Sequence, residues 1–370
     1  MFVMSIKLTR PRLALALFSS ILLAACSAVP PPPVQKSQPP VIKPVVAPKP
    51  TPPPVVIPTK ANGAPEALEL QITELWRNFN GRTGIAVFAI DGNWSLSKRG
   101  DEMFPQQSVS KLWVAMTVLD QVDRGKLKLD QIVRITRDDL AVFHQPIRDR
   151  VLANGEVKET VLALLELAIT KSDNTANDSL LRTAGGPEAV REFIARKGLG
   201  KIRFGPGERG LQSGIAGMEW QQDYAIGRNF ETARAKLSYE QRKAALDRYL
   251  ADPVDGASPL AIVKALGELS KGSLLSPAST RMLMAMMERT SSGPNRLKAG
   301  VPIGWRFGHK TGTGQQLAGV STGYNDIGIM TAPDGRRYAI AILMGDTTAS
   351  IPDRMAMMQR VSQVVAAAHR

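Results

Sequence analysis

Strand-like alternation occupies both ends of this chain beyond about residue 63, and helix-like periodicity fills the stretch between them. Alternating segments fall at 84–90, 94–97, 305–310, 326–331 and 337–344, the last two joined by a Pro333-Asp334-Gly335 turn. Helical patterns cover 65–79 and 352–368, with several more between 108 and 290. Strands far apart in sequence must pair across a helical interior. The expected class is therefore α+β: an antiparallel five-stranded sheet flanked by helices, plus a mostly helical half. A segment of this length is ample for a full core.

Three short motifs are set into that frame in a fixed order: Ser108-Val109-Ser110-Lys111, Ser172-Asp173-Asn174 and Lys310-Thr311-Gly312. Together they supply the reagents of an active-serine acyl transferase that attacks strained or peptide-like amides. One alone means little, because Ser95-Leu96-Ser97-Lys98 has the same S-x-x-K spacing with no helix to carry it. Ser108, by contrast, precedes an apolar run, 112–119, that reads as a buried helix. Backbone N–H groups at such a helix start are unpaired and can hold an oxyanion. Lys111, one turn on, can reach the serine hydroxyl as a base or as a charge favouring the alkoxide. Taken singly, Ser108 reads equally as an N-cap and Lys111 as a solvated cation.

The second motif follows an apolar helical run, 161–170. Ser172 offers a hydroxyl to relay a proton to a leaving nitrogen, and Asn174 an amide for a substrate acylamide. The same residues also suit a turn capping a helix that begins near Thr175. The third motif closes the 305–310 segment and runs into Thr311-Gly312-Thr313-Gly314. Glycines let a substrate backbone lie against the strand edge, and the Thr313 N–H is a candidate oxyanion donor. Lys310 and the Thr311 hydroxyl would bind a carboxylate. His309 points to the opposite face, where packing is expected of it.

With these residues in place, the chain resembles the class A serine beta-lactamases of the penicillin-recognising superfamily. The resemblance covers most of residues 64–370 and extends through Ser172 to Asn177, Gly185-Gly186-Pro187, Asn325-Asp326-Ile327 and Pro333-Asp334-Gly335. It implies the beta-lactamase/DD-peptidase fold with the site at the junction of its halves, antibiotic hydrolysis, and no cofactor. Phe143 falls where the family has an aromatic at the cleft mouth, a position equally suited to anchoring a loop.

Family spacing also lands on Glu208, followed by Leu211 and Gln212, as the omega-loop glutamate that activates water for deacylation; Glu219 is the fallback. Pro206, Gly207 and Arg209 depart from the family pattern around it. Residues 213–256 read as an insertion, much of it helical, with a Ser238-Tyr239-Glu240-Gln241 capping box. Tyr324 stands where many members carry an arginine. A carboxylate-binding cation would then come from elsewhere, with Arg354 either that cation or a surface charge.

The expected organisation is a lipoprotein signal peptide over 1–25, a lipidated proline-rich tether over 26–62 and a catalytic domain over 63–370. Lys7, Arg10 and Arg12 precede a short apolar run, and Leu23-Ala24-Ala25-Cys26 resembles a lipobox. Cys26, the only cysteine, would be the lipidated residue; Ser27 after it suggests outer-membrane sorting in a Gram-negative host. Residues 30–58 hold about half of the chain's 26 prolines, a composition that favours extended polyproline II and builds no core. The net charge of +14 suits anionic lipid or wall surroundings, or a merely basic lipoprotein. Three scattered histidines argue against a metallo-hydrolase, and no recognisable nucleic-acid module is present.

The expected partners are a small beta-lactam or peptidoglycan-like substrate and a membrane reached through the lipid anchor, with the protein a monomer. Two other readings stay open: a DD-peptidase or esterase of cell-wall-like substrates, and a wall-binding or sensing lipoprotein without turnover.

Overall fold

The computed structural model describes residues 63–369. The expected signal peptide, Cys26 and the proline-rich run lie outside the described residues. Helix α1 (Glu66–Asn78) leads into strands β1 (Arg82–Ala89) and β2 (Trp94–Lys98). A long helical stretch follows, from α2 (Lys111–Asp123) through α3 (Arg148–Asn154), α4 (Val161–Thr170), α5 (Asn174–Thr183) and α6 (Gly186–Arg196). It continues with α7 (Glu208–Ala216), α8 (Asn229–Ala235), α9 (Tyr239–Ala251), α10 (Pro259–Lys271) and α11 (Pro277–Glu288). Strands β3 (Arg306–Thr313), β4 (Tyr324–Thr331) and β5 (Arg337–Asp346) complete the sheet, and α12 (Ile351–Ala367) ends the chain.

The five strands pair antiparallel in the order β2-β1-β5-β4-β3, so both ends of the sequence meet at its centre. Alternation then decides what each face meets. Ala86 and Phe88 of β1, with Ala339, Ala341 and Leu343 of β5, join the core shared with α2, α4, α5 and α10. Their neighbours Ile85, Val87, Ile340 and Ile342 join a second core with Leu68 and Ile72 of α1 and Met358, Val361 and Val365 of α12. The result is three layers.

Helix α2 crosses the first of these cores, and every residue from Lys111 to Asp120 is buried. Burial on all sides explains its unbroken apolar sequence. A turn of 3₁₀-helix, Gln107–Ser110, precedes it and delivers Ser108 to the boundary between sheet and helices. The decoy Ser97-Lys98 lies instead in edge strand β2. Strand β3 runs on through Thr313, three residues past the alternating segment seen in the sequence, because Lys310 to Thr313 pair with Ile327 to Tyr324 of β4. Gly312 is required there by close approach: a Cβ would collide with the Gln106 carbonyl oxygen beside the turn that carries Ser108.

Residues 213–256, the expected insertion, supply the end of α7, all of α8 and α9, and the chain leading back to α10. Helix α9 begins on the expected capping box, with Ser238 and Gln241 each bonded to the other's backbone N–H.

Candidate active site

The three motifs converge at the upper end of α2. Lys111, fully buried, donates to Ser108 Oγ at 2.7 Å and to Asn174 Oδ1 at 2.8 Å, and it contacts Glu208 Oε1 directly. Ser108 itself is half-buried, so the hydroxyl faces the cleft while its partner is sealed behind it. A lysine with three oxygen acceptors and no solvent is held in place by them, and removing any one acceptor would leave a charge poorly compensated.

On the sheet side, Lys310 Nζ donates to Ser172 Oγ at 2.9 Å and to the Thr311 carbonyl at 3.0 Å. Burial, reinforced by the charge on Lys111, pushes the Lys310 ammonium well below its ordinary range. Ser172 adopts a left-handed backbone, φ 58°, directly before α5. Asp173 caps that helix through Ala176 N at 2.9 Å and also accepts Ile147 N at 2.7 Å. Capping and chemistry are therefore split between neighbours: Asp173 caps while Ser172 and Asn174 face the lysines. Asn174 uses one amide hydrogen on Val142 O at 2.7 Å, leaving its second for a ligand.

Glu208 is 3 % exposed at the first position of α7. The loop is aimed by Asp178 of α5, whose carboxylate accepts Glu208 N at 3.0 Å and Arg209 N at 3.3 Å. Burial and then the charge of Glu208 raise the Asp178 carboxyl to about 6. Gln212 fills the next turn of α7, its Nε2 3.5 Å from Glu208 Oε2. The fallback Glu219 is exposed and makes no contact with this group.

Phe143, φ 61° and 40 % exposed, stands edge-on to Phe230 of α8 with ring centroids 4.8 Å apart. Thr311 Oγ1 lies 2.8 Å from Ser292 Oγ, and Thr313 is exposed at the strand end.

Sequence reasoning missed one cation. Arg296, 7 % exposed, donates to Gly312 O at 2.9 Å, to Asn325 O at 2.6 Å and to Thr313 Oγ1 at 2.5 Å. Its guanidinium stacks 3.8 Å from the Tyr324 ring centroid. The tyrosine in the expected arginine position thus supports an arginine arriving from the loop before β3. Arg354 is not the surface charge offered as one of its two readings: it is 3 % exposed and donates through Nε to Ala349 O at 2.8 Å, its guanidinium 5.5 Å from the same ring centroid. His309 does face away from Lys310, but as half of a fully buried pair, its Nδ1 2.9 Å from Asp326 Oδ1, rather than as simple packing.

The model of the beta-lactamase enzyme family matches residues 67–368. The chain belongs to that family. Among its relatives, the extended-spectrum beta-lactamase PER-1 of Pseudomonas aeruginosa is 30 % identical over 80 % of this chain and 85 % of its own length. Beta-lactamase VEB-1, from the same organism, is 28 % identical over 78 % of this chain and 85 % of its own. The solved class A beta-lactamase of the last common ancestor of Gram-negative bacteria superposes with a TM-score of 0.64 at 30 % identity, covering 82 % of this chain and all of that one. The enzyme is a class A-type serine beta-lactamase with an antibiotic-hydrolase fold. Among the described residues, no group of His, Cys, Asp and Glu could hold a metal ion, and no helix is long and apolar enough to cross a membrane.

Proposed function

We propose that the enzyme opens beta-lactam rings through an acyl-enzyme on Ser108, which water activated by Glu208 then hydrolyses. The single observation that carries this reading is Lys111 shared between Ser108 Oγ and the Glu208 carboxylate. Ser108 Oγ attacks the lactam carbonyl carbon while its proton passes to the Lys111–Glu208 pair. The oxyanion takes hydrogen bonds from the Ser108 and Thr313 amides. The carbon–nitrogen bond breaks as Ser172, backed by Lys310, returns a proton to the leaving nitrogen. Glu208 next removes a proton from water, whose oxygen attacks the ester carbon. Collapse releases the acid and restores the Ser108 hydroxyl.

Substrate binding falls to the remaining groups: Asn174 for the acylamide, Lys310, Thr311 and Arg296 for the carboxylate, Gly312 for close backbone approach, and Phe143 for the cleft mouth. A carboxylate-binding role for Arg296 is supported by its placement against Thr313 and its stacking on Tyr324. A DD-peptidase has no need of a base buried against the lysine of the nucleophile, so the Glu208 contact favours turnover over a stalled adduct.

The test is nitrocefin hydrolysis by the full-length chain. Wild type turns over; Ser108→Ala should neither turn over nor gain mass with a penicillin. Adduct persisting in that variant removes Ser108 as nucleophile. A stable adduct on wild type sinks the lactamase mechanism.

We also propose that a lipidated Cys26 anchors a monomer in the cell envelope, at the outer membrane, through the proline-rich tether. What supports this is the lipobox-like Leu23 to Cys26 sequence. Cys26→Ser should move the protein out of the detergent phase.

A further inference from the structure

The inserted helix α9 sends one side chain to the nucleophile turn. Tyr249 is 7 % exposed, packed with Leu246 against Leu211 and Ile215 of α7. Its hydroxyl accepts from Gln107 Nε2 at 2.7 Å and donates to Asp255 Oδ1 at 2.9 Å. Asp255 Oδ2 in turn accepts Gln107 N at 2.7 Å. Gln107 immediately precedes Ser108 and holds a left-handed backbone, φ 54°, that a residue with a side chain keeps only when its surroundings impose it.

The Gln107 side chain continues inward. Its Oε1 accepts from Gln212 Nε2 at 3.1 Å, and that same nitrogen stands 3.5 Å from Glu208 Oε2. Gln212 Oε1 is held from the other side by Gln315 Nε2 at 3.1 Å. A chain of polar groups therefore runs from the insertion to the deacylating carboxylate: Tyr249, Gln107, Gln212, Glu208. The amide orientations along it agree with its first link, because Tyr249 accepts from the Gln107 amide nitrogen and leaves the Gln107 oxygen facing Gln212.

We propose that Tyr249 is a positioning residue for deacylation, and that the insertion thereby forms part of the enzyme's working apparatus. The inference rests on the acyl-enzyme reading given above. The two attachments of Gln107 separate its tasks. Asp255 holds the backbone N–H, and with it the placement of Ser108, through Oδ2, the oxygen that Tyr249 does not touch. Tyr249 holds the side-chain amide and through it the groups around Glu208 and the attacking water. Loss of the tyrosine hydroxyl should slow the second step and spare the first.

The experiment compares wild type, Tyr249→Phe, Gln107→Met and the double variant as full-length chains, with nitrocefin in stopped flow and intact-mass sampling of the acyl-enzyme. Tyr249→Phe keeps the ring in its apolar seat. It is expected to lower the deacylation rate about tenfold, a scale that small misplacements of reacting groups reach readily, with acylation unchanged within twofold and acyl-enzyme accumulating. Gln107→Met cuts the same chain one link later and should show the same split, with the double variant no worse than the poorer single. Tyr239→Phe, at the exposed start of the same helix, serves as the control and should match wild type.

The proposal is overturned if Tyr249→Phe deacylates at the wild-type rate, if both steps fall together with the folded fraction, or if the two single effects add. Ser108→Ala run alongside separates the levels. Should it still acylate, the underlying reading fails; should it not, a wild-type Tyr249→Phe sinks this proposal alone.

Discussion

Two buried pairs of ionisable side chains lie on opposite sides of the sheet, and they differ in what else their members can touch. Lys111 and Glu208, on the helical side, share the pair with Ser108 and Asn174, and half-buried Ser108 opens it to the cleft. His309 and Asp326, on the side of α12, are both fully sealed. There Asp326 Oδ2 accepts only Leu297 N, at 3.1 Å, and His309 Nε2 has no partner. Burial and a carboxyl group held against a nitrogen are common to both sites; a half-exposed hydroxyl belongs to one. On the proposed mechanism, the comparison teaches that a buried ionisable pair becomes catalytic through its third partner.

Replacing one member on each side should break the symmetry sharply. Glu208→Gln keeps volume and a hydrogen bond to Lys111, so the enzyme should still acylate but deacylate roughly a thousandfold more slowly, within the range for a general base. Mass spectrometry would show the stalled adduct, and ordinary turnover by this variant would contradict the assignment. His309→Leu, on the sealed side, strands Asp326 in the core. A loss of about 3 kcal/mol in unfolding free energy is expected, measured by urea titration, with kcat of the folded protein within threefold. A large fall in kcat would mean the sealed pair is coupled to Lys310 after all.

Acid titration sharpens the contrast further. Asp178 is raised to about 6, against an ordinary value of 3.8. A carboxyl raised in the folded state contributes stability in full below its ordinary value, and that contribution is lost as pH rises through about 6. The stability difference between Asp178→Asn and wild type should therefore grow in the variant's favour from pH 4 to 6, by up to about 3 kcal/mol. A flat difference curve would show that Asp178 is ionised throughout. The smallest effect belongs to Arg296, whose loop Asp326 holds through Leu297 N. Arg296→Ala should raise KM for a carboxylate-bearing beta-lactam about tenfold, near 1.4 kcal/mol, and leave the acyl-enzyme lifetime unchanged.

The sheet, the buried α2 and the three motifs could be read in advance because each is written locally, in alternation, in an apolar run or in fixed spacing. Glu208 could be placed because its distance from Gly186-Pro187 follows the family despite altered flanks. Arg296 could not. Its targets are two backbone carbonyls, a threonine and the face of Tyr324, none of which marks a sequence. The surface-charge reading of Arg354 fails because a charge in the first turns of a surface-type helix normally meets water, whereas this one meets the Ala349 carbonyl. The His309 partner needed the strand register, since Asp326 stands diagonally across β3 and β4, paired to Thr311 rather than to His309.

Surface insertions are ordinarily tolerated at small entropic cost and can be gained or lost freely. The one in this enzyme has surrendered that freedom. Phe230 lies under Phe143, Leu250 and Leu317 pack with the buried face of α9, and Tyr249 carries hydrogen bonds for Gln107 and Asp255. Without residues 213–256 the enzyme would have a bared aromatic at Phe143, an exposed flank of α7 and, next to Ser108, a Gln107 whose backbone N–H and side-chain amide have both lost their partners. Single substitutions at its exposed positions leave these contacts in place, whereas removal of the whole segment breaks all of them at once.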